Sequence, residues 1–158
     1  MSKKIVLRSV YAIAMIGLIL SVSSCDKDEK KIIGVWEYES VILKDFSCSD
    51  PSMTVTAKAT VQESLNNMIG SKIEFTKKGV TISLNDGSMG TYKIEDHKLI
   101  LGEGSGFVQT YDLSFPEKKK MQMETDLDAF TLVSLSLALF DGHVEVNKCS
   151  YQTTLIKK

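Results

Sequence analysis

Apolar and polar residues alternate with period two along most of this chain, the pattern of half-buried β-strands. Near the start, Trp36 and Tyr38 fall on one face of an extended segment, residues 32–43, and Glu37 and Glu39 on the other. The alternation predicts three further strands whose core-facing residues are Ile73 and Phe75, then Val80, Ile82 and Leu84, then Tyr92 and Ile94. Segments 99–101, 107–115, 120–124 and 144–156 continue it. We therefore predict about eight strands.

Short polar turns separate these strands. Lys77-Lys78-Gly79, Asn85-Asp86-Gly87 and Asp96-His97-Lys98 contain residues that accept the left-handed backbone of tight connections. Tight connections favour consecutive antiparallel strands, and closure of the sheet removes its two exposed edges. The prediction is a mainly β fold, a small antiparallel meander barrel with one or two short helices.

Two segments break the alternation. The first has apolar residues at helical spacing in residues 57–69, with Thr54 as a candidate N-cap and Gly70 at the stop position. The second, residues 127–140, is apolar on nearly every face, between Asp126 and Gly142. A helix and a buried strand both fit this second segment, and we favour the helix.

The N-terminus carries a targeting signal. Three basic residues precede an apolar run, residues 10–20, which is about half of the roughly 20 residues that a membrane-spanning helix needs. The following Val22-Ser23-Ser24-Cys25 resembles the bacterial lipobox, whose cysteine is acylated before cleavage. This resemblance implies a lipoprotein signal peptide (1–24), a lipidated Cys25 and a charged tether (25–31) before a single domain (32–158). An ordinary cleaved secretory signal is the alternative.

The residues after Cys25 give an indication of where in the cell envelope the protein is located. The run Asp26-Lys27-Asp28-Glu29 resembles the surface-export signal of Bacteroidota lipoproteins, and a solvated spacer is the other interpretation. We expect a protein of the bacterial cell envelope that is lipid-anchored in the outer membrane, and the export-signal interpretation adds exposure on the cell surface. The membrane is its expected partner through the anchor.

Charge argues against nucleic acid as a partner. Removal of residues 1–24 takes three basic residues and no acid, so 19 Lys and Arg against 20 Asp and Glu become 16 against 20. Arg8, the single arginine, is lost with them, and arginine is the side chain suited to bidentate phosphate capture. The remaining lysines are scattered among acids, so no nucleic-acid-binding patch is expected.

Cys48 and Cys149 are the two cysteines that remain once Cys25 carries lipid. An exported protein permits disulfides, and a bridge between these two would close a loop of about 100 residues. We expect a disulfide, with two separate free thiols as the alternative.

No set of residues specifies a reaction, so we do not expect an enzyme or a cofactor. His97 and His143 lack partners at metal-ligand spacing, and no metal site is expected. Ser105 lies in the glycine-rich segment 102–106, which has Glu103 where a nucleophile elbow would have its first glycine. That segment reads as a hairpin connection.

Several motifs together resemble the lipocalin-like domains of Bacteroidota lipoproteins. They are Gly34-Val35-Trp36 on the first strand, the helix over 57–69, and the run from Asn85-Asp86-Gly87 through Gly90-Thr91-Tyr92 to Leu99. In the lipocalins proper an arginine of the last strand covers the tryptophan. This chain has none there, so Lys148 or Lys157 is expected over Trp36.

The resemblance implies a barrel whose interior holds either one small hydrophobic ligand or its own side chains. For the first function, the candidate lining residues are Trp36, Tyr38, Phe75, Ile82, Tyr92 and Tyr111. The second is a non-enzymatic surface interaction module, an assembly component or an inhibitor of a secreted enzyme, acting through loops 44–53 and 102–106. Methionines at 53, 68, 89, 121 and 123 fit either core packing or an adaptable apolar surface.

Overall fold

The computed structural model describes residues 27–103 and 108–158, which form a closed barrel of eight antiparallel strands. The strands are β1 (Gly34–Cys48), β2 (Lys72–Phe75), β3 (Val80–Ser83), β4 (Met89–Glu95), β5 (Lys98–Glu103), β6 (Val108–Glu117), β7 (Lys120–Asp126) and β8 (Val146–Lys157). Each strand pairs with the next in sequence, and β1 pairs with β8 to complete the ring. The predicted antiparallel meander barrel is confirmed.

Three helical segments accompany the barrel in the described part of the chain. Residues 27–32, here α1, precede β1; α2 (Thr54–Asn66) follows a 3₁₀ turn, Pro51–Met53, and α3 (Ala129–Phe140) joins β7 to β8. None of them is both long enough and apolar enough to cross a bilayer.

The predicted helix within residues 127–140 is confirmed as α3. The Asp128 carboxylate caps it, accepting a hydrogen bond from the Thr131 backbone N–H at 2.7 Å. Asp141 and Gly142 then adopt positive φ angles of 50° and 75°, which end the helix. The expected cap of α2 is different, because Thr54 is the first helical residue and Asp50 caps the 3₁₀ turn before it.

The first strand, β1, is 15 residues long and carries register shifts after Tyr38 and after Leu43. Each shift is a bulge that changes which side chains point inward. Trp36 and Tyr38 face the interior first, and Val41 and Leu43 follow beyond the first bulge. One strand therefore serves both halves of the barrel, pairing with β2 at its start and with β8 along most of its length.

One end of the barrel, which we call the closed end, is packed solid. Its buried side chains come from seven strands and α1: Ile32, Trp36, Phe75, Ile94, Leu99, Leu113, Met121, Met123 and Leu155. The opposite half, the mouth half, holds a second cluster that includes Val41, Leu43, Val61 and Tyr151 and is covered by α2 and α3. The barrel therefore has two buried clusters, one at the closed end and one under the helices of the mouth half.

Helix α1 covers the closed end. The Trp36 indole N–H donates to the Ile32 carbonyl at 2.6 Å, and Lys157 Nζ donates to the Lys31 carbonyl at 3.0 Å. Lys157 Nζ also lies 5.3 Å from the centroid of the Trp36 ring. Of the two lysines expected over Trp36, Lys157 takes that place, whereas Lys148 pairs with Asp45 in the mouth half.

The expected disulfide between Cys48 and Cys149 is not formed, and both residues are free cysteines. A register shift between Ser47 and Cys48 places Cys48 opposite Val146, while Cys149 lies opposite Phe46. Residues that are diagonal rather than directly opposed are about 7–8 Å apart, beyond the usual reach of a disulfide. Burial raises the pKa of the Cys149 thiol to about 11, which keeps it protonated.

Candidate ligand-binding cavity

A cavity of about 510 Å³ occupies the barrel interior above the closed end. Six consecutive strands contribute to its wall: Tyr38 from β1, Ile73 from β2, Thr81 and Ser83 from β3, Met89 and Gly90 from β4, Leu101 and Gly102 from β5, and Tyr111 from β6. Met68, just after α2, and Ser88, in the β3–β4 turn, complete it. A hollow of this size lies in the range of small-molecule sites.

The cavity exists because the inward positions of β3 and of the start of β4 carry small residues. Gly90 has no side chain where a Cβ would lie 2.8 Å from Thr81 Oγ1 and 2.7 Å from the Gly102 carbonyl oxygen. On β3, next to Gly90 of β4, Thr81 and Ser83 present hydroxyl groups in place of large apolar groups. Large side chains such as Trp36, Phe75 and Leu155 fill the barrel at the closed end, whereas the small residues of this half leave its interior open.

Tyrosine hydroxyls add to the polar groups inside the barrel. Burial raises the pKa of Tyr38 well above its ordinary range, with a smaller contribution from nearby Tyr151. The Tyr111 and Tyr151 hydroxyl oxygens are 3.5 Å apart, and burial also raises the pKa of Tyr151. The raised pKa keeps Tyr38 and Tyr151 neutral over the physiological range, and a tyrosine hydroxyl can donate or accept a hydrogen bond.

One carboxylate lies close to the cavity wall. Hydrogen bonds from Ser88, above all from its backbone N–H at 2.9 Å, and from the Ser83 side chain lower the pKa of Asp86 to about 2. Asp86 is exposed in the β3–β4 turn, so it adds a fixed negative charge at the mouth. Met89 lines the same edge and is 65% exposed.

The structure brings only two of the six predicted lining residues, Tyr38 and Tyr111, to the cavity wall. Trp36 and Phe75 are fully buried in the closed-end cluster, below the hollow. Tyr92 packs against that cluster, edge-to-face on Phe75 with ring centroids 5.1 Å apart, and its hydroxyl donates to the Thr76 carbonyl at 2.7 Å. These three residues shape the floor of the barrel.

Ile82 is not at the cavity, and its predicted inward orientation was wrong. The register pairs Phe75, which faces the core, with Thr81, so Thr81 and Ser83 point inward and Ile82 lies on the other face opposite Glu74. Sequence alternation shows which residues share a face but not which face is inside. Five of the lining residues that were not predicted are polar or lack a side chain, so an apolar pattern gave no signal for them: Thr81, Ser83, Ser88, Gly90 and Gly102.

The methionines divide between the two predicted roles. Met121 and Met123 are buried at the closed end, where they fill space. Met68 and Met89 line the cavity, and Met53 is exposed. Thioether side chains at the wall of a hollow adapt to apolar molecules of different shape.

The charged segment before the barrel is partly described, and this part is folded. The Asp28 carboxylate is buried and lies 2.7 Å from His97 Nδ1 and 3.1 Å from Lys31 Nζ. Burial alone would raise the pKa of Asp28, but hydrogen bonds and charge from Lys31 and His97 outweigh it and lower this pKa. Residues 27–31 of the expected tether are therefore held on the closed end, while Cys25 lies outside the described residues.

The loops expected to make surface contacts differ from the prediction. Residues 44–48 continue β1, so only residues 49–53 form a connection with a 3₁₀ turn. Gly102 ends the cavity wall in β5, and residues 104–107 lie outside the described ranges.

An exposed apolar surface, which the sequence pattern did not predict, lies on α3. Phe130, Val133 and Leu137 are 72%, 59% and 59% exposed and form one stripe at positions i, i+3 and i+7. A hollow of about 460 Å³ lies between this helix and the start of β8. The helix has no charged residue, and Asp128 and Asp141 flank it.

Across residues 27–103 and 108–158, no group of three or more His, Cys, Asp or Glu side chains is arranged to hold a metal ion. Comparison of the chain with protein-family models, with curated proteins and with solved structures gives no match in any of the three.

Proposed function

We propose that this chain is an exported, lipid-anchored protein of the bacterial cell envelope whose lipocalin-like barrel binds a small hydrophobic molecule. The observation that carries the proposal is the cavity of about 510 Å³ in the mouth half of the barrel, above the packed closed end. A partly open hollow of this size, lined by apolar side chains and a few hydroxyl groups, is the usual form of a small-molecule site. Ile73, Leu101, Met68 and Met89 provide the apolar surface for a ligand.

Binding is testable through the single tryptophan of the chain. Trp36 lies under the cavity, so a neutral fluorophore bound there, N-phenyl-1-naphthylamine, accepts energy from it. The acylated protein, held in amphipol, is titrated with this probe. We expect saturable energy transfer from Trp36.

A matched pair of variants on β3 locates the probe. Ser83→Phe places a ring inside the cavity, whereas Ile82→Phe places one on the opposite face of the same strand. We expect the first variant to abolish energy transfer and the second to retain it. Equal binding by both variants, or no saturable signal in the unmodified protein, would refute the ligand-binding proposal.

The anchor is supported by the N-terminal signal and by the position of α1. Only Asp26 separates Cys25 from residue 27, where the described helix begins on the closed end of the barrel. Acylation of Cys25 therefore directs the closed end toward the membrane and the mouth away from it. Two or more acyl chains give stable anchoring, at about 0.8 kcal/mol per buried methylene.

Cys25→Ala tests the anchor. We expect this variant to lose incorporation of an alkyne-tagged fatty acid and to leave the membrane fraction, while Cys48→Ala keeps both properties. Membrane retention and labelling of Cys25→Ala at the unmodified level would contradict lipidation at this residue.

The exposed stripe on α3 favours a second candidate function, a non-enzymatic surface interaction module. Apolar side chains as exposed as Phe130 and Val133 typically mark contact sites, and Asp128 and Asp141 at the helix ends suit a partner with basic residues around an apolar patch. A photo-crosslinking residue at Val133, compared in whole cells with one at exposed Lys44, tests it. A specific product at position 133 alone is expected, and equal labelling at both positions would argue against it.

A further inference from the structure

We propose that the cavity selects uncharged amphiphiles, such as long-chain alcohols and their esters, over carboxylates of the same chain length. This inference rests on the proposed ligand-binding function and names the class of ligand. Three features support it: the described wall has no charged side chain, its polar groups are neutral, and a negative charge lies at the mouth.

The described wall of the cavity contains no charged side chain. Its polar groups are the hydroxyls of tyrosine, threonine and serine, together with the backbone exposed at Gly90 and Gly102. A carboxylate moved into such a site loses its hydration and finds no cation, which costs several kcal/mol. A neutral head group meets no such penalty.

The lysines of the adjoining strands are directed elsewhere. Lys72 and Lys93 alternate with the inward Ile73 and Tyr92 on β2 and β4, and they form ion pairs with Glu37 and Glu95. Lys157 is at the closed end, bonded to the Lys31 carbonyl and stacked over Trp36. Arginine, which would provide a bidentate partner, is absent beyond position 8.

Tyr38 has the polar group best placed to recognise a neutral ligand. Burial and Tyr151 account for its raised pKa, and no hydrogen bond with another described residue contributes to it. The side chain lines the cavity, so its hydroxyl can donate to, and accept from, an alcohol or an ester carbonyl.

The mouth adds a second selection against anions. Asp86 is held in the ionised form in the turn beside Ser83 and Ser88, two residues of the wall. An anionic head group at the entrance meets this negative charge, and the effect is moderate because the carboxylate is solvent-exposed.

Displacement of the probe by decan-1-ol and by decanoate at pH 8 tests the selectivity. The acylated protein is used in amphipol, with the signal of Ser83→Phe subtracted as background. We expect decan-1-ol to displace half of the probe at a concentration at least about tenfold lower than decanoate does. If decanoate displaces as well as decan-1-ol or better, the selectivity proposal fails while ligand binding stands. If the probe itself never binds, the proposed function fails first.

A charge introduced at the mouth tests the cause. Met89 lines the cavity edge and is exposed, so Met89→Lys adds a cation there, and Met89→Gln is the matched neutral control. We expect Met89→Lys to narrow the preference for decan-1-ol by at least about threefold relative to Met89→Gln. An unchanged ratio in Met89→Lys would overturn the explanation that missing positive charge sets the preference.

Discussion

The two halves of this barrel are built from the same strands but are filled differently. At the closed end, Trp36, Phe75 and Leu155 are almost completely buried, and α1 covers them. In the mouth half, the inward positions of β3 and β4 carry Thr81, Ser83 and Gly90, and a hollow remains. Residue size at inward positions, and not strand number, decides where an eight-stranded barrel is packed and where it is open.

The halves also differ in how their edges are covered. The closed end is held by interactions of buried groups, including the Asp28 carboxylate and the Trp36 indole. The mouth half depends on helices, with Gln62 of α2 hydrogen-bonded to the free edge of β1. We therefore expect the closed end to dominate global stability and the mouth half to tolerate change and local opening.

Removal of the central aromatic side chain of the closed end is expected to have the largest effect. Trp36→Ala leaves a cavity under α1 and removes the indole hydrogen bond to Ile32, so we expect a loss of about 3–5 kcal/mol in unfolding free energy. Urea unfolding followed by far-UV circular dichroism measures it. Phe130→Ala on α3, where the ring is 72% exposed, is the control and should change stability by less than about 0.5 kcal/mol. A loss in Trp36→Ala no larger than that in Phe130→Ala would contradict the tight packing of the closed end.

The buried carboxylate of the closed end provides the second comparison. Asp28→Asn removes a charge that Lys31 and His97 share, and we expect a loss of about 1–3 kcal/mol. Asp45→Asn in the mouth half breaks an exposed pair with Lys148, 3.1 Å apart, and should cost less than about 0.5 kcal/mol. Urea midpoints at pH 7 compare the two variants.

The pH dependence of that difference follows from the direction of the Asp28 shift. Its pKa is lower in the folded protein than the ordinary value of 3.8, so the unfolded state binds the proton more readily. The stabilisation is fully present above pH 3.8 and disappears as the pH falls through the folded pKa. The gap between unmodified protein and Asp28→Asn should therefore shrink in acid, and a gap that widened there would contradict the assigned shift.

The sequence predicted the barrel well because strand pairing depends on alternation and on turn residues. The alternation of Tyr92 and Ile94 and the following turn at Asp96 and His97 define a hairpin from local sequence alone. Both turn residues have positive φ, 47° and 62°. In β3 the same alternation was ambiguous, because Ile82 and Thr81 lie on opposite faces and only the pairing of Thr81 with Phe75 sets the inward one. The inward face of β3 is therefore set by its pairing with β2, which the local sequence does not reveal.

The candidate site was predicted less well for a related reason. The predicted lining residues were aromatic and aliphatic. Two of them, Trp36 and Phe75, belong to the packed closed end, because large apolar side chains fill a barrel. A cavity is defined by their absence, so Gly90 and Ser83 gave no hydrophobic signal. The docking of α1 could not be predicted either. Asp28 and Lys31 have the composition of a solvated segment, and the partner that holds Asp28 on the barrel, His97, is far away in sequence.

The smallest expected effect concerns the edge of β1 in the mouth half. Gln62 Nε2 donates to the Val41 carbonyl at 3.0 Å, and its Oε1 accepts from the Leu43 backbone N–H at 2.9 Å, so this side chain bonds to β1 as a neighbouring strand would. Gln62→Ala should cost about 1 kcal/mol and, more specifically, accelerate amide exchange at Leu43. Lys58→Ala, an exposed change on the same helix, is the control for a general effect on α2. Unchanged exchange at Leu43 in Gln62→Ala would mean that the Gln62 side chain does not hold this edge of β1.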